Sequence, residues 1–176
     1  MKRLLPFLLV AAVAIAPAAF AERGGQGRSP AQFCQNELAT LGAANFRSLY
    51  APGGSGANAM GKCVSKHARA AAANRTNASR ACRAEMEMPE AEFRAAHGGK
   101  SFAEFYGMNR NDRNAFGRCV SAEARALNAQ QEARLMNAAK ACKTERAANR
   151  AAFVAQYGGR AAAAFGKCVS SKNRRP

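Results

Sequence analysis

The chain has 176 residues, 27 Lys and Arg against 11 Asp and Glu, six cysteines and no tryptophan. A formal charge of +16 points to anionic partners: nucleic acid, acidic cell-envelope polymers or anionic lipid. The scarcity of Leu, Ile and Val after residue 21, with Ala carrying most of the apolar count, excludes a thick hydrophobic core and a second membrane-length apolar run. The charge has a competing origin, because a chain rich in Ala, Arg and Gly that uses Arg far more than Lys is also what GC-rich coding produces.

Met1-Lys2-Arg3 opens an apolar run from Leu4 to Ala19, interrupted by Pro6 and Pro17 and closed by Ala19-Phe20-Ala21. A positive start, an apolar stretch short of a comfortable bilayer span and an A-x-A end predict a cleaved signal peptide over residues 1–21. The mature protein is then expected to be extracytoplasmic and secreted, without an integral membrane segment, and to keep a charge of about +14 once Lys2 and Arg3 are gone. Six cysteines in an exported chain predict three disulfides rather than metal ligands or catalytic thiols. Each contributes about 2–4 kcal/mol, which matters where the core is thin.

Residues 22–30 read as a flexible, Gly-rich polar tether without apolar period, ending in Ser29-Pro30, an N-cap followed by proline at the first helical position. A single helical domain is expected over residues 31–171, with residues 172–176 as a frayed tail. It contains three similar units, at about 31–65, 78–121 and 138–170. Each opens with Cys-x-x-Glu (Cys34 and Glu37, Cys82 and Glu85, Cys142 and Glu145). A pair of rings at helical spacing follows: Phe46 with Tyr50, Phe93 with His97, Phe153 with Tyr157. A glycine-rich turn comes next, and a block with Gly-Lys/Arg-Cys-Val-Ser closes the unit at Cys63, Cys119 and Cys168.

Between units, Ala59 to about Met88 and Ala115 to about Ala147 read as continuous helices of good helix formers, with Asn58 and Asn114 placed to cap their starts. Pro89 ends the first and opens a short helix with acids at its positive end. Cys63 and Cys82 then lie on one helix about 28 Å apart, and Cys119 and Cys142 further still, too far for disulfides. The pairing consistent with the repeat is Cys34 with Cys63, Cys82 with Cys119 and Cys142 with Cys168. It holds only if Asn74-Arg75-Thr76-Asn77 does not break the first long helix; a break would allow Cys63 to reach Cys82. The fold class expected is all-α, an array of three disulfide-closed helical repeats. An insertion in the second unit, Lys100 to Arg113, carries Phe102, Phe105 and Tyr106 at helical spacing, expected to pack on the array.

The segments Asn137-Ala-Ala-Lys-Ala-Cys142-Lys-Thr-Glu145, Phe153-Val-Ala-Gln-Tyr157-Gly158 and Asn114-Ala-Phe-Gly-Arg-Cys119-Val-Ser resemble Cys-containing helical repeats of secreted, uncharacterised proteins from high-GC bacteria. The resemblance covers most of residues 31–171 and implies a fold and a compartment, but no activity. The first unit departs from it, with Met60 in place of Phe and a Cys-to-Phe spacing one residue longer.

No catalytic, cofactor or metal site is expected. Gly98-Gly99-Lys100-Ser101 has the tail of a phosphate loop, but Arg94 stands where that loop needs glycine and no strand precedes it. Cys63 and His67 have the spacing of a thiolate–imidazole pair or two metal ligands. The matching positions in the other units are Glu123 and Lys172, so a surface histidine beside a structural cystine is the favoured reading. Lys62, Arg118 and Lys167 precede cysteines in a setting that lowers a thiol pKa, which matters only if a cysteine is free. Asn109, Asn111 and Asp112 lack the carboxylates and central glycine of a calcium loop. Glu37, Glu85 and Glu145 are expected to pair with a Lys or Arg of a neighbouring helix.

Candidate anion-binding residues are Arg69, Arg80, Arg83, Lys100, Arg125, Lys140, Lys143 and Arg160, with helical spacings that scatter them over more than one face and no interleaved aromatics for base stacking. The expected function is that of a non-enzymatic binding or structural module for an anionic polymer, a cell-envelope polymer or nucleic acid. The alternative is a membrane-active cationic protein, and an enzyme ranks third.

Overall fold

A computed structural model describes residues 28–53, 56–107, 111–158 and 160–174. The expected signal peptide, most of the tether, Gly54, Gly159, Asn109 and the last two residues lie outside the described residues. The described residues form eight helices and no strand: α1 (Pro30–Leu41), α2 (Ala43–Tyr50), α3 (Ala59–Glu87), α4 (Glu90–Ala96), α5 (Phe102–Tyr106), α6 (Ala115–Ala148), α7 (Arg150–Tyr157) and α8 (Ala161–Asn173). No helix among them is long and apolar enough to cross a membrane.

Local chemistry sets the ends. Ser29 and Gln32 form a reciprocal capping box at the start of α1, with Pro30 in the first turn. Gly42, at φ +79°, turns the chain from α1 into α2 within one residue, in backbone geometry that favours glycine. Asn58 and Asn114 occupy the N-cap positions of α3 and α6 as expected, but neither side chain caps its helix. Asn58 instead lies over Gly61, where a Cβ would come within 2.5 Å of its Oδ1. α8 runs through Asn173, two residues into the segment assigned from the sequence to a frayed tail.

The two long helices form an antiparallel hairpin. Cys82 of α3 bonds Cys119 of α6, and further along Asn74 donates to Asn128 Oδ1 at 2.7 Å and to Gln131 Oε1 at 2.9 Å. The Asn74 to Asn77 segment is therefore unbroken helix. Asn74, a poor helix former, is offset by its hydrogen bonds across the seam, where an unpaired amide would be costly, and Thr76 bonds back to the Ala72 carbonyl within the helix. All six cysteines pair as the unbroken helices require: Cys34–Cys63, Cys82–Cys119 and Cys142–Cys168, with Cα separations of 5.9–6.0 Å.

The three cystine-closed segments are not strung out evenly. α1, α2, α7 and α8 gather where α3 begins and α6 ends, and a shared core there joins Phe33, Leu41, Leu135, Cys142, Phe153, Phe165 and Val169. Lys143 Nζ to the Thr40 carbonyl (2.9 Å) and Arg146 to Asn45 (2.9 Å) tie this end further, and Gly166 lets α8 approach the Ser48 carbonyl of α2. At the other tip, α4 and α5 close over Cys82–Cys119 with their own aromatic cluster, in which Phe93 meets Phe102, Phe105 and Tyr106 at 5.6–6.5 Å. The core is thin, as the composition requires: its largest fully buried side chains are Phe46, Phe93, Phe153, Phe165 and Leu41.

Candidate functional site

Two features carry chemistry: a polar node repeated beside each cystine, and the charged outer surface of the hairpin. The node follows from helix periodicity. In Cys-x-x-Glu the glutamate lies three residues beyond the cysteine, on the same inward face, so each carboxylate sits beside a disulfide. Glu37 Oε2 is 3.6 Å from Cys63 Sγ, Glu85 Oε2 is 4.0 Å from Cys119 Sγ and Glu145 Oε2 is 4.0 Å from Cys168 Sγ.

The partner common to all three is a tyrosine hydroxyl, not the Lys or Arg expected from the sequence. Tyr50 donates to Glu37 at 2.6 Å, Tyr106 to Glu85 at 2.9 Å and Tyr157 to Glu145 at 3.1 Å. Among the described residues only Glu145 also has the expected cation, Lys172 at 3.2 Å. A signal was available in the first and third units, where the second ring of the aromatic pair is tyrosine. In the second unit that ring is His97, which stacks on Phe93 at 3.8 Å, and the inserted Tyr106 supplies the hydroxyl instead.

His67 is the second correction. Four residues after Cys63, it shares the cystine's inward face and is 7 % exposed, so it is not a surface histidine. Phe33 covers it, ring to ring at 4.4 Å, and its Nε2 lies 3.1 Å from the Tyr50 hydroxyl. Glu37, Tyr50 and His67 thus form one buried chain. With Glu37 ionised, His67 donates to Tyr50 and Tyr50 to Glu37; with Glu37 protonated, the donors reverse and no heavy atom need move. Burial pushes the Glu37 carboxyl up to about 7, against the opposing pulls of the Tyr50 hydrogen bond and Lys66. Burial, helped by Lys66, pushes His67 down to about 4. Tyr50 is raised by burial and by the adjacent Glu37.

Cys34, Cys63 and His67 bring ligand-type atoms within 4.8 Å of one another, but both sulfurs are committed to the disulfide and offer no thiolate. Among the described residues no cysteine is free, so the cations before Cys63, Cys119 and Cys168 have no thiol to activate. General acid–base work requires a substrate within hydrogen-bond reach. Glu37 is fully buried, and the recess bordering His67 measures about 30 Å³, on the scale of a single water.

All eight candidate anion-binding residues are exposed, but the fold does not bring them together. Arg69, Arg80 and Arg83 share the outer side of α3. Arg125 and Lys140 are on α6, where Arg125 borders the seam with α3. Lys143 is engaged with Thr40, while Lys100 lies at the α4–α5 tip and Arg160 before α8, at opposite ends of the hairpin. The sequence list omitted Lys62 and Lys66, which extend the α3 set toward its N-terminus. At about 100° per residue, Lys62, Lys66, Arg69, Arg80 and Arg83 fall within about 100° of arc, facing away from Cys63, His67 and Cys82. Five of the α3 cations thus share one outer face, while Arg75 stands on the seam side of the helix, in keeping with the scatter over more than one face expected from the spacing. Between Ala59 and Ala84 that helix has no carboxylate.

Compared with protein-family models, curated proteins and solved structures, the chain matches none of them.

Proposed function

We propose that this is a non-enzymatic, exported binding module whose α3 outer face holds a linear acidic polymer, a phosphate-bearing envelope polymer or nucleic acid. The observation that carries the reading is the face itself: Lys62, Lys66, Arg69, Arg80 and Arg83, all exposed, with no carboxylate among them over about 32 Å of helix. Like charges held so close are disfavoured without a counter-charge, and a polyanion that displaces condensed counterions supplies one. Export accords with the leader-like N-terminus and the three disulfides.

The test is binding of the oxidised protein to labelled single-stranded DNA and, in parallel, to inorganic polyphosphate across a salt series. Five contacts predict a log–log slope of about −3.5, and replacing Lys62, Lys66 and Arg69 by Gln should flatten it by about 2. Binding of both probes marks recognition of phosphate charge alone; binding of DNA only marks nucleic acid. No binding at about 20 mM salt, or a slope untouched by the substitutions, overturns the reading.

The membrane-active alternative draws on one observation: the exposed large apolar side chains Met86, Met88 and Phe105 all belong to the α4–α5 tip or the end of α3 beside it. Leakage from anionic liposomes that is lost on replacing these three by Ser would favour it.

A further inference from the structure

The seam between α3 and α6 is covered at one end and open along its middle. At the covered end α1 lies along it, and Phe33 packs into the core that Leu135, Ala138 and Ala139 of α6 help to form. Beyond Pro30 the same seam continues as a groove of about 1340 Å³, walled by α3 at Ala71, Arg75 and Ser79 and by α6 from Phe116 to Asn137. That stretch of α6 is about 32 Å long. The groove exceeds the roughly 300–1,000 Å³ usual for small-molecule sites. Its lining includes Phe116, Val120, Ala124 and Met136.

We propose that this groove receives an amphipathic helix with acidic flanks, supplied by a partner protein. α1 already seats a helix in the same seam, so the spacing of α3 and α6 suits one, and the groove continues that seat unfilled by the described residues. The rims specify charge. Arg75 stands on the α3 wall and Arg125 on the α6 wall, and neither makes an ion pair with the described residues, while Glu132 is the one carboxylate of the lining. A second copy of a +16 chain would bring like charges together across the seam. With the leader removed, as the proposed export requires, the remaining residues 22–27 contain no apolar side chain to fill it. The inference concerns the seam side of α3 and does not depend on polymer binding at the outer face.

The probe is a fluorescent peptide of about six helical turns, with Leu at i, i+3, i+4 and i+7 spacing and Glu on the flanks, compared by anisotropy with a shuffled peptide of identical composition. The amphipathic peptide should bind at least about tenfold more tightly than the shuffled one. Ala129→Trp, an exposed substitution on the groove wall, should weaken binding about tenfold with an unchanged melting curve, and R75E/R125E should weaken it similarly. The Lys62, Lys66 and Arg69 to Gln variant should leave it unchanged. Equal binding of both peptides, indifference to Ala129→Trp, loss of binding in the outer-face variant, or no binding up to about 100 µM peptide overturns the proposal. So does a peptide-free dimer that Ala129→Trp dissolves, which would place a second copy in the groove.

Discussion

Glu37 and Glu145 hold the same position beside their cystines, yet one is sealed and the other is open to water. Glu37 is fully buried and shares a tyrosine with a histidine; Glu145 is about a third exposed and pairs with Lys172. Two positions make the difference. The residue before the first cysteine is Phe33 in one case and Ala141 in the other, so only the first node has a ring as its lid. The residue four after the closing cysteine is His67 or Lys172, an imidazole that burial keeps neutral or an ammonium that stays at the surface. A repeated motif thus specifies where a carboxylate points, and its neighbours decide whether it meets a proton, a cation or water.

The largest effects should come from the disulfides. Their sequence separations of 29, 37 and 26 residues predict losses of about 3.5–4 kcal/mol each by chain entropy alone. Their locations should separate them. Replacing Cys82 and Cys119 by Ala should release amide exchange in α4 and α5 while α1 and α8 stay protected; replacing Cys34 and Cys63 should expose the whole packed end. One common exchange pattern for both variants would contradict the two-ended architecture.

Next in size is a pair of opposed pH slopes. Glu37 at about 7 in the fold, against 4.5 ordinarily, holds a proton the unfolded chain has lost, so its contribution declines as pH rises from 4.5 to 7. His67 at about 4, against 6.5, lacks a proton the unfolded chain holds, so its contribution declines as pH falls from 6.5 to 4. Between about pH 5 and 6 the folded and unfolded pairs each hold about one proton, so the two slopes cancel. Urea titrations of Glu37→Gln should show stability rising with pH in this window, and those of His67→Gln should show it falling, each by up to about 1.4 kcal/mol per pH unit. Parallel slopes in the two variants would refute the assignment.

The last comparison is of the hydroxyls, and the open node should give the smallest effects. Tyr50→Phe strands a buried carboxyl whose Oε1 already has no partner among the described residues, and should cost about 1–3 kcal/mol. Tyr157→Phe and Lys172→Met act on a carboxylate that water reaches, and thermal melts should show less than about 1 kcal/mol, shrinking further with added salt for Lys172. Equal costs for Tyr50→Phe and Tyr157→Phe would remove the distinction between the nodes.

Much of this was legible in the residues. The long helices, the Ser29 cap, the three cystines and the aromatic pairs all rest on spacing within one helix or on the length of a helix between cysteines. The tyrosine partners were half legible, because Tyr50 and Tyr157 recur, while Tyr106 enters from an insertion that no comparison of units aligns with them. Asn74 looked like a helix breaker because its propensity is local, whereas Asn128 and Gln131, which satisfy it, lie more than fifty residues away.

The sequence by itself determined the all-α class, the ends of α3 and α6, and which cysteines could meet, since helix rise and disulfide reach leave few choices. Tertiary structure decided that the first and third segments share a core while the second stands at the far tip. It also decided that Phe33 buries His67 and that five of the α3 cations form an outward face while Arg75 borders the seam. These outcomes depend on which helix faces touch across the hairpin, and contacts between distant residues follow from packing rather than from the propensities of either segment alone.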